Sequence, residues 1–244
     1  EVSRGRILFD AKSTDEFHRS GAKFAPYLKG GTFRKWFGND EYVVAFDPVS
    51  YAKLAQLGNK LPSRALYFRE SITWSALSSG DFGARYAGVG STFSAKGACA
   101  FPSTNSARDL VLAVFNSTVA GELLEFMGAT LDFNVGSLRE IPLPAHIPTD
   151  EQHSLHELIE ELIHLHREDW ELDESAPGFS ASALVRESSH ASLSAVVAAF
   201  EGQVVSRAER VRGLQSTLDA RISKLYGLPP GEELAVSLRF SPQG

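Results

Sequence analysis

IPLPAHIP (residues 141–148) marks the point at which the hydrophobic period of this chain changes, and the fold class follows from what lies on either side. Three prolines in eight residues interrupt any regular element. After them the period is helical. TDEQ at 149–152 offers a capped start, and Leu155, Leu158, Ile159, Leu162, Ile163 and Leu165 form an apolar stripe. The acidic stretch REDWELDESAPGF at 167–179 reads as a loop. A second helix is predicted over 193–225, where Val197, Phe200, Val204, Ala208, Val211, Leu214, Leu218 and Ile222 follow in steps of three and four. Its length of about 50 Å fits an antiparallel arm or spacer, stopped by Gly227 and Pro229-Pro230.

Before the prolines, apolar residues come in short runs. EYVVAF at 41–46 and the stretches 68–77, 82–87 and 91–98 are rich in β-branched and aromatic residues and read as strands. SSGD at 78–81 and AGVG at 87–90 supply turns, so an antiparallel meander is expected. One helix is predicted over 106–126, capped by Ser106. Leu110, Val114, Ser117 and Gly121 share a face, and the two small residues imply close packing against the sheet. The expected fold is α+β: an antiparallel β-rich domain with a packed helix over 1–145, then a long-helix hairpin or bundle over 146–244.

The net charge of −6 hides an asymmetry. Residues 1–145 hold 16 Lys and Arg against 14 Asp and Glu, while 146–244 hold 8 against 16. The halves therefore have different electrostatic roles. No acid falls between Glu16 and Asp40, where Arg19, Lys23, Lys29, Arg34 and Lys35 lie, nor between Asp47 and Glu70, where Lys53, Lys60, Arg64 and Arg69 lie. A hydrophobic content of 43% with 22% charged residues is that of a globular protein. No apolar run approaches the roughly 20 residues of a membrane span, and EVSRGRILFD at the start is no signal peptide. A cytoplasmic protein without a membrane partner is expected. With Glu1 in place of an initiator Met, the chain is expected to be part of a longer one.

Several motifs fail on spacing. HELIEELIH at 156–164 lacks the second His of a zincin, since Glu160 stands there, and Glu161 with His164 is a single ExxH pair. A solvated polar face opposite the Leu/Ile stripe is expected, with no metal. Gly30-Gly31 and SSGD lack phosphate-loop spacing, and Ser75, Ser78 and Ser79 lack a nucleophile elbow. Cys99, the only cysteine, excludes an intrachain disulfide and a thiolate cluster and reads as a small hydrophobe.

GGTFRKWFGNDEYVV at 30–44 carries more chemistry. Cations interleaved with aromatics on a turn supply phosphate contacts, stacking surfaces and glycines that let a nucleic-acid backbone approach. The plainer reading makes Phe33 and Trp36 core residues and the cations their solvent face.

KGGTFRKWFGN at 29–39, EYVV at 41–44, SITWSALSSGDFGARY at 71–86 and FNSTVAGELLEFMGATLDFNVGSLREIPLP at 115–144 together resemble the C-terminal target-recognition region of PglX-type adenine-specific DNA methyltransferases of BREX phage-defence systems. More distantly the chain is similar to recognition domains of TaqI-like and type IIG restriction–modification enzymes. REDWELDE at 167–174 and KLYGLPP at 224–230 resemble the family's later helical segments. The resemblance implies an intact enzyme that moves a methyl group from S-adenosylmethionine to an adenine amine, with the base flipped from the duplex. It also departs mildly from the family, with Phe37 where Tyr is usual and Thr32 where Glu or Asn is common. No Asn/Asp-Pro-Pro-Tyr/Phe tetrapeptide and no glycine-rich cofactor loop after a strand occur, so the catalytic domain is expected upstream, and this fragment is expected to hold no cofactor and no catalytic residue.

Under that resemblance Lys29, Arg34 and Lys35 are the candidate phosphate contacts on double-stranded DNA. Arg69, Arg85, Tyr86 and Asn134 are candidates for the groove or base edges, Arg pairing with guanine or Asn with adenine. Trp36 and Trp74 are expected to hold the fold. Expected partners are the upstream methyltransferase domain and other defence-system proteins. The alternative is a docking module that binds a partner through its acidic helical half without reading DNA; a complete enzyme with an unrecognised site finds no residues at catalytic spacing.

Overall fold

The structure is a computed structural model that describes residues 2–58, 61–78, 80–128, 132–186 and 192–228. Lys60, Ser79, Pro229-Pro230 and residues 129–131 of the 115–144 stretch lie outside the described residues. The chain is α+β, as its pattern predicts. Helix α1 (Thr14–Ser20), strands β1 (Phe24–Leu28) and β2 (Val43–Ala45), helix α2 (Pro48–Gln56) and strands β3 (Ser71–Ser75), β4 (Ala84–Ala87), β5 (Thr92–Phe93) and β6 (Gly97–Ala100) form the first part. Helices α3 (Asn105–Phe115), α4 (Thr118–Phe126), α5 (Val135–Arg139), α6 (Thr149–Trp170), α7 (Ala183–Arg186) and α8 (Leu193–Leu225) follow.

The strands do not form one meander. They make two three-stranded sheets, ordered β2-β1-β5 and β4-β3-β6. The β3–β4 hairpin is antiparallel as expected, but β6 takes the other edge of β3, and β5 runs parallel to β1. The crossing is tight: Ser94 N donates to Leu28 O at 2.9 Å, which ties the turn before β6 to the end of β1.

The expected helix over 106–126 is two helices. Asn116 turns its side chain onto β4, accepting from Ala84 N and donating to Ala84 O, both at 2.9 Å. Ser117 then caps α4 by accepting from Ala120 N, so this small residue is a cap and Gly121 faces solvent. Thr104, not Ser106, caps α3. Helix α6 starts after Pro148 without a side-chain cap and runs on into the expected 167–179 loop, because Trp170 is buried and its Nε1 donates to Asp40 Oδ1 at 2.6 Å.

Helices α6 and α8 are antiparallel. The ion pairs Arg221–Glu151, Arg210–Glu161 and Arg207–Glu168 run in opposite chain directions. Helix α8 is largely exposed over its first half, where Val196 alone is buried among its described residues. From Val211 onward it enters the core through Leu214, Leu218 and Ile222.

Two apolar cores result. One joins Phe17, Phe46, Tyr67, Phe68 and Phe93, ring edges against ring faces. The other takes Trp36 and Trp74 from the first half together with Leu112, Phe115, Leu155, Ile159, Leu162, Leu218 and Ile222. This second core is continuous across residues 141–148, so packing does not part where the charge balance changes.

Candidate nucleic-acid interface

The stretch after β1 is a loop held from beneath. Trp36 is 0% exposed with φ of +67°, a region bulky residues rarely occupy. It stays there because its N–H donates to Ala84 O and its carbonyl accepts from Tyr86 N, both at 2.8 Å. Nearer the start, Gly31 N donates to Ser75 Oγ at 2.9 Å, and Ser75 Oγ donates to Gly31 O at 3.0 Å. Gly30 has φ of +89°, and a Cβ there would lie 3.1 Å from Lys96 O, so glycine is required for this close approach. Asn39 closes the loop by donating to Thr32 O at 2.8 Å.

What remains outside is Lys29, Thr32 and Phe33. Phe33 is 47% exposed, so of the two aromatics the loop buries Trp36 and offers Phe33. Lys29 is exposed, with Nζ 4.6 Å from the Tyr42 ring centroid. The other two cations are engaged. The Arg34 guanidinium lies 4.8 Å from the Trp170 ring centroid and 3.2 Å from Asp169 Oδ2. Lys35 Nζ donates to Asn116 O at 2.8 Å, and burial pushes its pKa below the ordinary value despite Asp219 and Asp81 nearby.

The groove candidates separate in the same way. Arg85 is interior at 1% exposure. Its Nη1 donates to Arg34 O at 3.3 Å and its Nη2 to Ser75 Oγ at 3.4 Å, while burial pushes its pKa down to about 10. It props up the loop and does not face a groove. Tyr86 donates to Glu70 at 3.0 Å and lies under the Arg108 guanidinium. Arg69 is exposed on the bend before β3. Asn134 is exposed and caps α5, Oδ1 accepting from Ser137 N at 3.1 Å; a two-bond contact with adenine needs that same oxygen.

Two grooves flank the loop's elements. One, about 860 Å³, runs between Phe33–Trp36 and the α8 face carrying Val211, Arg212, Gln215 and Asp219. The second, about 570 Å³, is bounded by residues 62–66, by β6 and by α5, with Arg139 on its wall. Cys99 sits there as the small hydrophobe expected, its thiol pushed up to about 11 by burial.

Sequence reasoning missed two features. Asn116 is a junction: its side chain holds Ala84, and its carbonyl accepts from both Lys35 and Gln215. Nothing local signals this, since the partners lie far along the chain. The second is on α6, where Glu160, in the place of the missing zincin His, meets Arg108 Nη2 at 2.6 Å, and His156 Nδ1 lies 2.8 Å from Asp109 Oδ2. The i, i+4 spacing of His156 and Glu160 placed them on one face. Asp109, His156 and Glu160 lie close enough to share a cation, but Arg108 already fills that position at 2.7 Å from Asp109.

No protein-family model matches the chain. It is homologous over most of its length to part of two larger proteins. It is 34% identical over 232 residues to the adenine-specific methyltransferase PglX of Lacticaseibacillus casei, covering 88% of this chain and 19% of that protein. It is 29% identical over 175 residues to the adenine-specific methyltransferase BrxX of Escherichia coli O9:H4, covering 71% of this chain and 14% of that protein. The chain thus spans less than a fifth of either relative. No helix among the described residues is long and apolar enough to cross a membrane.

Proposed function

We propose that this chain is the DNA target-recognition part of a site-specific adenine methyltransferase of the BREX type. In this reading S-adenosylmethionine binding and methyl transfer belong to an upstream domain of the longer protein, and the likeness to TaqI-like and type IIG recognition domains reflects the same division of labour. One observation carries it. In a chain homologous to adenine-specific methyltransferases, a loop strained at Trp36 and braced by Arg85, Ser75 and Asn39 presents Lys29, Thr32 and Phe33 to solvent. Such bracing fixes a surface that must meet a partner in one geometry.

Lys29 is assigned a phosphate, with Arg34 and Lys35 at the edge of the same surface. Arg69 and Asn134 are the exposed candidates for base edges. Because the acceptor amine of adenine is inside the duplex, the enzyme must extrude the base, and the recognition part holds the duplex in register while that happens.

Fluorescence anisotropy of the longer protein on duplexes with and without its methylation site tests this. Binding of the site duplex tighter than its scrambled control, with the margin reduced by Arg69→Ala by about 1–3 kcal/mol at one base position, is the expected result. Undiminished discrimination after deletion of this segment would overturn it and leave the docking role.

A further inference from the structure

The groove of about 860 Å³ between the 33–36 loop and α8 is not accounted for by duplex contact. Its volume is that of a small-molecule site, too small for a duplex whose major groove alone is about 12 Å wide. One wall is the exposed Phe33 ring, opposed by Val211. Three cations, Arg34, Lys35 and Arg212, face two carboxylates, Asp169 and Asp219. The sixth ionisable group, His166, is held neutral by burial, its pKa pushed down to about 4. The lining therefore carries a formal excess of one positive charge.

Two residues of this lining each carry a buried polar atom without a hydrogen-bond partner, Arg34 Nε and His166 Nε2, both beneath the groove's surface. A ligand that matches this lining has a flat ring to lie on Phe33, one negative charge for the surplus cation, and polar edges for groups such as Gln215. A phosphodiester carries one charge, and every base has a stacking face.

We infer that this groove receives a single nucleotide unit, its base on Phe33 and its phosphate beside Lys35 and Arg212. The inference rests on the DNA reading above only for the source of the nucleotide, which is either one extruded from the duplex or one free in solution.

Two titrations of the chain test it. The first is calorimetry with deoxydinucleoside monophosphates, which carry two bases and a single phosphodiester. The second is anisotropy with two duplexes that differ only in one bulged nucleotide. Saturable dinucleotide binding is expected, weakened about ten-fold by Phe33→Ala, by Phe33→Leu, which keeps an apolar side chain but not the ring, and by Arg212→Ala. Both side chains are exposed, so unchanged unfolding transitions will show the variants folded. Preference for the bulged duplex, lost in the same variants, assigns the nucleotide to DNA; dinucleotide binding with equal affinity for the two duplexes assigns it to solution. Paired duplex bound with neither dinucleotide binding nor bulge preference overturns the groove and leaves the DNA reading standing. Dinucleotide bound with no duplex bound keeps the groove and removes the DNA reading.

Discussion

Lys35 Nζ donates to the carbonyl of Asn116 at 2.8 Å, and through that contact the exposed loop, the β4 strand and the helical hairpin become one object. Gln215 of α8 donates to the same carbonyl at 3.0 Å, and the Asn116 side chain is bonded twice to Ala84. Asn116→Ala leaves Ala84 N without its acceptor in a buried place, while Ala84 O keeps the Trp36 N–H as its donor. Urea unfolding is expected to show a loss of about 1–3 kcal/mol. A loss below about half a kcal/mol would mean that β4 is held without this junction.

Trp36 was legible in the sequence, as an aromatic among glycines, and it is core. The long helix was legible too, because a period of three and four sustained over residues 193–225 admits no other element. Strand β1 was not, since Pro26 in its centre argues against a strand, and its partner β5 is far along the chain, Tyr27 opposite Thr92 and Leu28 opposite Phe93. The break at Asn116 was hidden for the same reason: its cause is a strand 32 residues earlier. Arg85 was a groove candidate only through the resemblance, and its burial at 1% exposure could not be read from its spacing. Of the opening loop, sequence supplied the residue types, and the division into buried Trp36 and exposed Phe33 needed the structure.

Trp36→Ala is expected to destabilise the protein by about 3–5 kcal/mol, as truncation of a fully buried ring does. The φ of +67° would be nearly as strained for alanine, so no relief offsets the cavity. Thermal or urea unfolding measures this, and Phe33→Ala, at an exposed site, is expected to change stability by less than about 0.5 kcal/mol.

His166 gives a pH signature. In the unfolded chain its imidazole takes a proton near the ordinary value of 6.5, whereas burial holds the folded one neutral down to about 4. As pH falls through that window the unfolded state binds the proton first, so stability falls. Asp40 and Glu41, whose pKa values are pushed up by burial, act in the opposite sense, since their folded forms take up protons first. The difference between the protein and His166→Gln isolates the imidazole: the variant should lose less stability between pH 6.5 and 4. Equal slopes would place His166 in water.

Lys29 and Lys35 should part company in DNA binding. Lys29→Ala in the longer protein is expected to weaken all duplexes alike and reduce the slope of log K against log[salt] by about one unit. Lys35 is half-buried and gives one of its three N–H donors to the Asn116 carbonyl, so Lys35→Ala is expected to alter that slope less and to lower stability more. Identical slopes for the protein and Lys29→Ala would remove Lys29 from the phosphate surface.

If this chain selects the DNA site, exchanging it between relatives should move the site with it, and the structure dictates where the exchange must end. A segment cut at Pro144 separates Leu112 and Phe115 from Leu155, Ile159 and Leu218, which share one core, and it parts Arg108 from Glu160 and Asn116 from Gln215. Non-matching partners across such a core cost several kcal/mol through cavities and overpacking. Exchange of residues 29–144 alone, which also parts Phe17 and Leu28 from Phe46 and Phe68, is therefore expected to give a poorly folded enzyme, whereas exchange of 8–225, which keeps both cores whole, should give an active one that methylates the donor's sequence. Sequencing of methylated adenines reads the outcome directly. An active 8–225 chimera that keeps the recipient's site would place recognition elsewhere in the longer protein and reduce this chain to a docking element. A fully active 29–144 chimera would mean that the loop and strands read DNA without the helical hairpin that braces them.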